Sequence, residues 1–552
     1  MNRSGSPLIL KPDFKPLLLM ALAGCILFLA LQVYPALYSG ASTPQPIDKS
    51  EAAAAAQRFY TEQMTLTPGS SQEPLVTYIA RSELYGYLMK EKLVQLYDEQ
   101  FKEKYPYELY RVTLDQGNSN AIHVDVNMHT GAIAGFTYDS QDSGYEGAML
   151  QEGRAQRQLL LLLEGELTLA EKQALAAPWV QRAGYDPEQL TMVTGKREPG
   201  LIYRDPDAKA GEAVLQLAFT FENGQLRSFE TAFAAPESHL AYVDQQTLAA
   251  VLLTLLGYGL FTLILGILAV IYSVRTRMYI SWKRGVLLAV IVFVTQMLNV
   301  YNMLPSYEAQ GMSETMIGGR LLFYAGYSLV FSALVYFSLA GGTGLWLKED
   351  GLNPFPEVRE TGYGRYVLQS MKLGYVWAFI LMGVQSMIFV VLGLTLNTWS
   401  TIDASQSPYN MLYPWLFPLM AWFAGIMEET VYRLFGIKML SKIFRSTLAA
   451  SLISSLIWAL GHTLYPIFPV ISRPIELIVI GLLFSFIFLR YGYLAVMFSH
   501  IIFNSILMGF SLAMMNGTGN LLTGIFYMLL PALVAYLIHI FHRPRTLPGP
   551  AA

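Results

Sequence analysis

Residues 420–438 read MAWFAGIMEETVYRLFGIK, an apolar run with Glu428, Glu429 and Arg433 in its middle. The run lies in a stretch long enough to be embedded in a membrane. There an ionisable side chain is costly and faces a protein interior or a water-filled cavity. Two further apolar stretches carry polar pairs of the same spacing, Trp458-x-x-x-His462 and His500-x-x-x-Asn504. Residues four apart share a helix face, so each helix presents one polar stripe on an otherwise apolar cylinder. Two carboxylates, two imidazoles, a guanidinium and a carboxamide, gathered from three helices, make up the inventory of a hydrolytic site.

Composition supports the membrane reading. The 552 residues are 53% hydrophobic and 14% charged, with a mean hydropathy of +0.38, too apolar for an ordinary soluble enzyme. A formal net charge of −3 provides no basic field and excludes nucleic acid as an expected partner. The single cysteine, Cys25, excludes an internal disulfide framework and any multi-cysteine metal site. Leu22-Ala23-Gly24-Cys25 has the form of a bacterial lipoprotein cleavage site, but the chain continues apolar beyond it. Leu17 to Tyr38 is therefore read as one uncleaved span, with lipidation of Cys25 as the alternative.

The fold expected is a polytopic all-α membrane protein of about ten transmembrane helices with an inserted extracytoplasmic α+β domain. Runs of about 20 apolar residues fall near 17–38, 247–273, 285–305, 320–343, 373–395, 411–437, 447–463, 474–490, 493–514 and 521–541. If they alternate, Arg3, Lys11, Lys15, Arg275, Arg277, Lys283, Arg284, Lys438, Lys442, Arg445, Arg543 and Arg545 share one side. By the positive-inside rule that side is cytoplasmic and holds both termini. The opposite loops, such as Asn397 to Pro408 and Asn516 to Asn520, are nearly free of positive charge. The divisions expected are 1–38, the cytoplasmic N-terminus and first span; 39–244, the external domain; 245–371, spans two to four with a cytoplasmic loop; 372–542, the site-bearing core; and 543–552, a cytoplasmic tail.

Within 39–244 one pattern occurs twice. Ile122, Val124, Val126 and Met128 alternate into Thr130-Gly131 and a second strand, and Leu215, Leu217, Phe219 and Phe221 alternate into Asn223-Gly224 and another. Alternation around a glycine turn marks a β-hairpin. Helical stretches, Lys49 to Met64 and Thr168 to Ala183, precede the two hairpins. The repeat resembles the extracytoplasmic PepSY-like modules; an α+β domain without that ancestry fits equally. His123, His129 and His239 are scattered through it and form no catalytic group.

The order Glu-Glu-x-x-x-Arg, aromatic-x-x-x-His, His-x-x-x-Asn on successive membrane helices resembles the intramembrane CAAX protease and bacteriocin-processing family, which includes the type II prenyl-protein endopeptidases. The resemblance covers about Lys372 to His542, with Trp458 where phenylalanine is usual; another aromatic is expected to pack similarly. It implies that Glu428, with His462, holds and activates a water, and that His500 and Asn504 stabilise the oxyanion. It also implies a supporting role for Glu429 paired with Arg433. The same resemblance admits a metal mechanism, with His462, His500 and Glu428 as zinc ligands. Spacing does not choose between zinc and no cofactor, although no His-Glu-x-x-His helix is present; the metal-independent form is preferred.

The activity expected is that of an intramembrane endopeptidase acting on a membrane-associated protein or peptide in the bilayer. The competing reading is a non-enzymatic receptor or bacteriocin-immunity scaffold whose external domain binds an unidentified ligand. A secondary transporter would show repeated membrane halves and broken helices, and neither is evident. Glu476 and Arg490 are expected to extend toward the interface, His539 and His542 to mark the cytoplasmic boundary, and Gly481 and Gly492 to permit close helix packing.

Overall fold

The computed structural model describes residues 1–35, 37, 45–64, 73–117, 120–139, 167–193, 200–222, 224–308, 312–515 and 517–542. Tyr38, Ser39, Asn223, Asn516 and the tail 543–552 with Arg543 and Arg545 lie outside the described residues.

Helix α1, Phe14–Val33, runs unbroken through Cys25. It is followed by the sheet-rich part of the chain. Helix α2, Lys49–Gln63, precedes β1, Leu75–Ala80, β2, Glu108–Gly117, β3, Asn120–Asn127, and β4, Ile133–Asp139. Helix α3, Leu169–Arg182, opens on a capping box between Thr168 and Glu171. It precedes β5, Thr191–Val193, β6, Leu201–Ala210, β7, Ala213–Glu222, and β8, Gln225–Ala234. Both expected hairpins form, β3 with β4 and β7 with β8.

The strand order is β1-β2-β3-β4-β8-β7-β6-β5. The second half is thus a helix followed by a four-stranded antiparallel meander; the first has the same order with two short helices, Ser82–Lys90 and Val94–Gln100, between β1 and β2, and the halves join edge to edge through β4 and β8. At that seam Phe136 lies opposite Phe229. Trp179 of α3 and Phe59 of α2 both pack on Phe136, with ring centroids 4.7 and 5.9 Å away. Both helices therefore bury their apolar sides on one face of a continuous sheet, as the two-copy pattern requires.

Helices that follow the sheet include α4, Glu237–Arg275; α5, Val286–Asn302; α6, Thr315–Asp350; α7, Tyr363–Leu396; α8, Met420–Glu428; α9, Lys438–Phe444; α10, Thr447–Leu460; α11, Ser472–Tyr491; α12, Tyr493–Ala513; and α13, Thr518–Phe541. Among the described residues, seven helices are long and apolar enough to cross a membrane, and α5 and α10 are shorter apolar helices. The chain near 411–437 is not one regular helix. It passes from a 3-10 turn, Pro414–Leu419, through α8 and a π-helical stretch, Glu429–Ile437, into α9. Each expected span has a helical segment in its place, but these three are not regular helices of spanning length.

Polar contacts gather the short connections at two ends. At one end Asn2–Arg3 pairs with Leu352–Asn353, the Met1 amine donates to the Arg490 carbonyl, and Arg284 pairs with Glu357 at 2.7 Å. Lys438 pairs there with Asp350 at 2.8 Å. At the other end Trp399–Ser400 pairs with Ile467–Phe468, and the Trp399 and Phe468 rings stack at 4.5 Å. The sheet docks at this second end. Asn410 accepts from the Tyr78 amide at 2.6 Å and donates to the Tyr78 carbonyl at 2.8 Å, so one side chain satisfies both main-chain groups of a residue on edge strand β1.

Close approach of α1 to α7 depends on glycine. A Cβ at Gly24 would run into the Phe379 carbonyl, and one at Gly383 would meet the Gly24 main chain. Gly393, on the same helix α7, has nothing within 4 Å of a Cβ. Gly24→Leu is expected to destabilise the protein by more than the about 1–3 kcal/mol typical of overpacking, while Gly393→Leu leaves it unchanged. Thermal unfolding of both variants in detergent checks this.

Candidate active site

Helices α8, α10, α11 and α12 share one buried apolar cluster, and their packing brings the three polar stripes together. Glu428 closes α8, and Glu429 opens the π-helical stretch that also carries Arg433. Such π turns inside helices occur frequently at functional sites. The two adjacent carboxylates are treated differently: the Glu428 side chain is 15% exposed and that of Glu429 is 0% exposed.

Glu428 lies at the centre. His462 Nε2 is 3.8 Å from its Oε1, and His500 Nε2 is 3.8 Å from its Oε2. The Trp458 indole N–H donates to Oε2 at 2.5 Å. The other nitrogen of each imidazole is occupied. His462 Nδ1 lies 3.0 Å from the Trp458 carbonyl, which only accepts, so Nδ1 carries the proton. His500 Nδ1 lies 2.7 Å from Glu429 Oε1 and donates to that carboxylate. Both Nε2 atoms are thereby aimed at Glu428. Stacking fixes the rings: His500 on Phe484 at 4.6 Å, and His462 on Tyr465 at 5.7 Å.

His462 lies in the turn just beyond the end of α10 at Leu460, a correction to the expectation of one continuous helix face. Gly461 permits that turn to pack closely, since a Cβ there would lie 2.5 Å from the Tyr258 ring. Asn504 sits one turn beyond His500 on α12 and is half-buried. Among the described residues, no hydrogen bond joins it to the rest of the set.

Behind Glu428 lies a buried charge pair. Arg433 Nη1 is 3.2 Å from Glu429 Oε1, with both side chains 0% exposed. The pair is electrostatic and lacks hydrogen-bond alignment: none of the three guanidinium nitrogens has a hydrogen-bond partner among the described residues. The guanidinium instead stacks 4.4 Å over the Trp458 ring and 5.3 Å from Phe484, a desolvated cation–π arrangement. Gly481 provides the room, because a Cβ there would lie 2.8 Å from Ser455 and 3.2 Å from Arg433 Nη2.

Sequence reasoning missed the Glu429–His500 bond, the Phe484 stack and the indole donor. Only the last had a readable signal, since tryptophan carries an N–H that phenylalanine lacks. Glu476 does not extend toward the interface. It is fully buried and accepts from Arg473 at 2.5 Å and from Gln385 at 2.7 Å, because Arg473 one turn earlier and Gln385 on the facing α7 satisfy it in place. Arg490 is exposed. Among the described residues, no three His, Cys, Asp or Glu side chains are grouped so as to hold a metal ion.

Residues 410–506 match the model of the family described as type II CAAX prenyl endopeptidase Rce1-like. The segment that carries the site is thus similar to the type II CAAX prenyl endopeptidases of the CAAX protease and bacteriocin-processing family. The matched segment contains Glu428, Glu429, Arg433, Trp458, His462, His500 and Asn504, and as a CAAX-type endopeptidase the protein is a peptide hydrolase. The sheet-rich part of this protease lies outside the matched residues. No curated protein and no solved structure matches the chain.

Removing Arg433 strands Glu429 inside the protein. Arg433→Leu is expected to cost about 3–5 kcal/mol, the usual penalty for breaking a buried ion pair, whereas Arg490→Leu stays within about 0.5 kcal/mol. Thermal unfolding in detergent measures both.

Proposed function

We propose that this protein is a multi-pass intramembrane endopeptidase that hydrolyses a peptide bond of a membrane-associated protein or peptide, using a glutamate-activated water. The observation that carries the reading is the isolation of Glu428. It is the water-accessible carboxylate of the set, flanked by two imidazole Nε2 atoms at 3.8 Å each, while the partner carboxylate Glu429 is sealed and occupied.

One water with its oxygen about 2.8 Å from each acceptor can donate one proton to Glu428 Oε1 and the other to the His462 Nε2 lone pair. Its own lone pairs then face the substrate carbonyl. As the oxygen–carbon bond forms, Glu428 takes the water proton, the role of a general base. The oxyanion is stabilised by the Asn504 carboxamide and by His500, whose Nε2 must be protonated to donate. Glu428 then returns its proton to the departing amine as the carbon–nitrogen bond breaks. Glu429 and Arg433 support the site without entering the reaction.

The charge bias of the loops supports a cytoplasmic location for the end that holds Met1, Arg284 and Lys438, with the sheet-rich part on the opposite side of the membrane. The helix-plus-meander repeat supports a PepSY-like origin for that part, and its docking on Asn410 suits a role in presenting substrate. Deleting it is therefore expected to change substrate choice; under a receptor reading, deletion abolishes function altogether.

Glu428→Gln is expected to lower hydrolysis by about 10²–10⁴ with expression and thermal stability unchanged, and Asn504→Ala by about 10²–10³. Mapping peptide termini in membranes carrying wild-type or Glu428→Gln protein tests the assignment: proteins that accumulate uncut only with the variant are the substrates. Identical termini with both proteins stably inserted would favour the receptor reading. Activity should also survive exhaustive EDTA treatment; loss restored by zinc would overturn the metal-independent mechanism.

A further inference from the structure

Trp458 touches both members of the pair assigned to hold the water, through different parts of the same residue. Its indole N–H donates to Glu428 Oε2 at 2.5 Å, and its main-chain carbonyl accepts from His462 Nδ1 at 3.0 Å. The side chain thereby sets the carboxylate and the backbone sets the imidazole tautomer. We infer that Trp458 is a positioning residue for Glu428, its indole N–H pinning Oε2 so that Oε1 alone is presented to His462. This inference rests on the reading of Glu428 as the base.

The indole is enclosed by packed side chains. Trp458 is 2% exposed. The Arg433 guanidinium lies 4.4 Å over its ring, Phe484 packs edge-on at 6.1 Å, and the His500 ring lies edge-on at 6.0 Å. Glu429 in turn pairs with Arg433 and accepts from His500. The second glutamate and the arginine of the Glu-Glu-x-x-x-Arg motif therefore reach the first glutamate through the indole.

A carboxylate has two equivalent oxygens and rotates between them unless something distinguishes them. Here a charge-assisted hydrogen bond to one oxygen makes the other the available base. It also removes Oε2 from use as a second proton acceptor, although His500 Nε2 lies as close to it as His462 Nε2 lies to Oε1. Phenylalanine at this position has no N–H and leaves both oxygens unassigned. The substitution of tryptophan for phenylalanine is thus a chemical difference, whereas equal packing was the expectation from the sequence.

The test separates the N–H from the shape of the ring. Full-length protein in detergent is prepared as wild type, Trp458→Phe, Glu428→Gln, and a form carrying at position 458 a benzothienyl analogue with sulfur in place of the indole N–H. With a fluorogenic prenylated peptide as probe, Trp458→Phe and the analogue should each lower kcat about 10- to 100-fold, the range for losing a hydrogen bond to a charged group. KM should stay at the wild-type value in both, as expected for lost positioning, and the thermal midpoint should stay at the wild-type value in the analogue, which keeps the bicyclic ring under Arg433. The Trp458 indole N–H proton resonance, identified by its loss in Trp458→Phe, should move in Glu428→Gln. An analogue protein with wild-type kcat, or an indole resonance indifferent to Glu428→Gln, overturns the positioning role. Wild-type activity in Glu428→Gln overturns the glutamate-base reading itself, so the two failures are distinguishable. If the peptide is not cut by the wild type, the resonance alone decides.

Discussion

The buried pair of Glu429 and Arg433 is the constraint on which the site depends. Two full charges at 0% exposure carry a desolvation cost that their mutual attraction offsets only with good geometry and further partners. The protein supplies those partners asymmetrically. Glu429 receives a hydrogen bond from His500, and Arg433 receives two aromatic faces, Trp458 and Phe484. Each partner is then fixed in place by the charge it serves. His500 is held with one nitrogen turned to Glu428, and Trp458 with its N–H on Glu428. Stabilising the buried ion pair and orienting Glu428 are therefore one arrangement.

Small residues make that arrangement possible. Gly481 on α11 lets the guanidinium lie flat against the helix, and Gly425 on α8 lets α12 approach to where a Cβ would stand 2.5 Å from Ile501. Without a strong hydrophobic drive between helices in lipid, close backbone approach and interhelical polar contacts determine which helices associate. The second buried pair, Arg473 with Glu476 and Gln385, follows the same rule between α11 and α7.

The sheet-rich part is joined to this core at two loops that frame the site. Asn410 grips edge strand β1 and precedes the segment leading into Glu428. The Trp399–Phe468 stack joins the loop after α7 to the loop that follows His462. The sheet and its neighbouring loops therefore meet the chain on the approach to Glu428 and just after His462. The seam of the sheet, where Phe136 and Phe229 meet under Trp179, makes its two halves one rigid platform.

The sequence alone determined what depends on local pattern. Alternation of Ile122, Val124 and Val126, and of Leu215, Leu217 and Phe219, specified the hairpins because strand periodicity is a property of neighbours. Apolar runs located helical segments of the membrane part, seven of them long enough to span among the described residues, and three spaced motifs picked out polar residues that the structure brings near one another. Only the tertiary structure decided what those residues do to one another. That His500 binds Glu429, that Arg433 stacks and makes no aligned hydrogen bond, that Glu476 is sealed, and that Trp458 donates to Glu428 all depend on angles between helices. Helical spacing places residues on a face, but which donor meets which acceptor is set by packing between elements distant in sequence. The π-helical turn at Glu429 belongs to the same class, since no local residue pattern announced it.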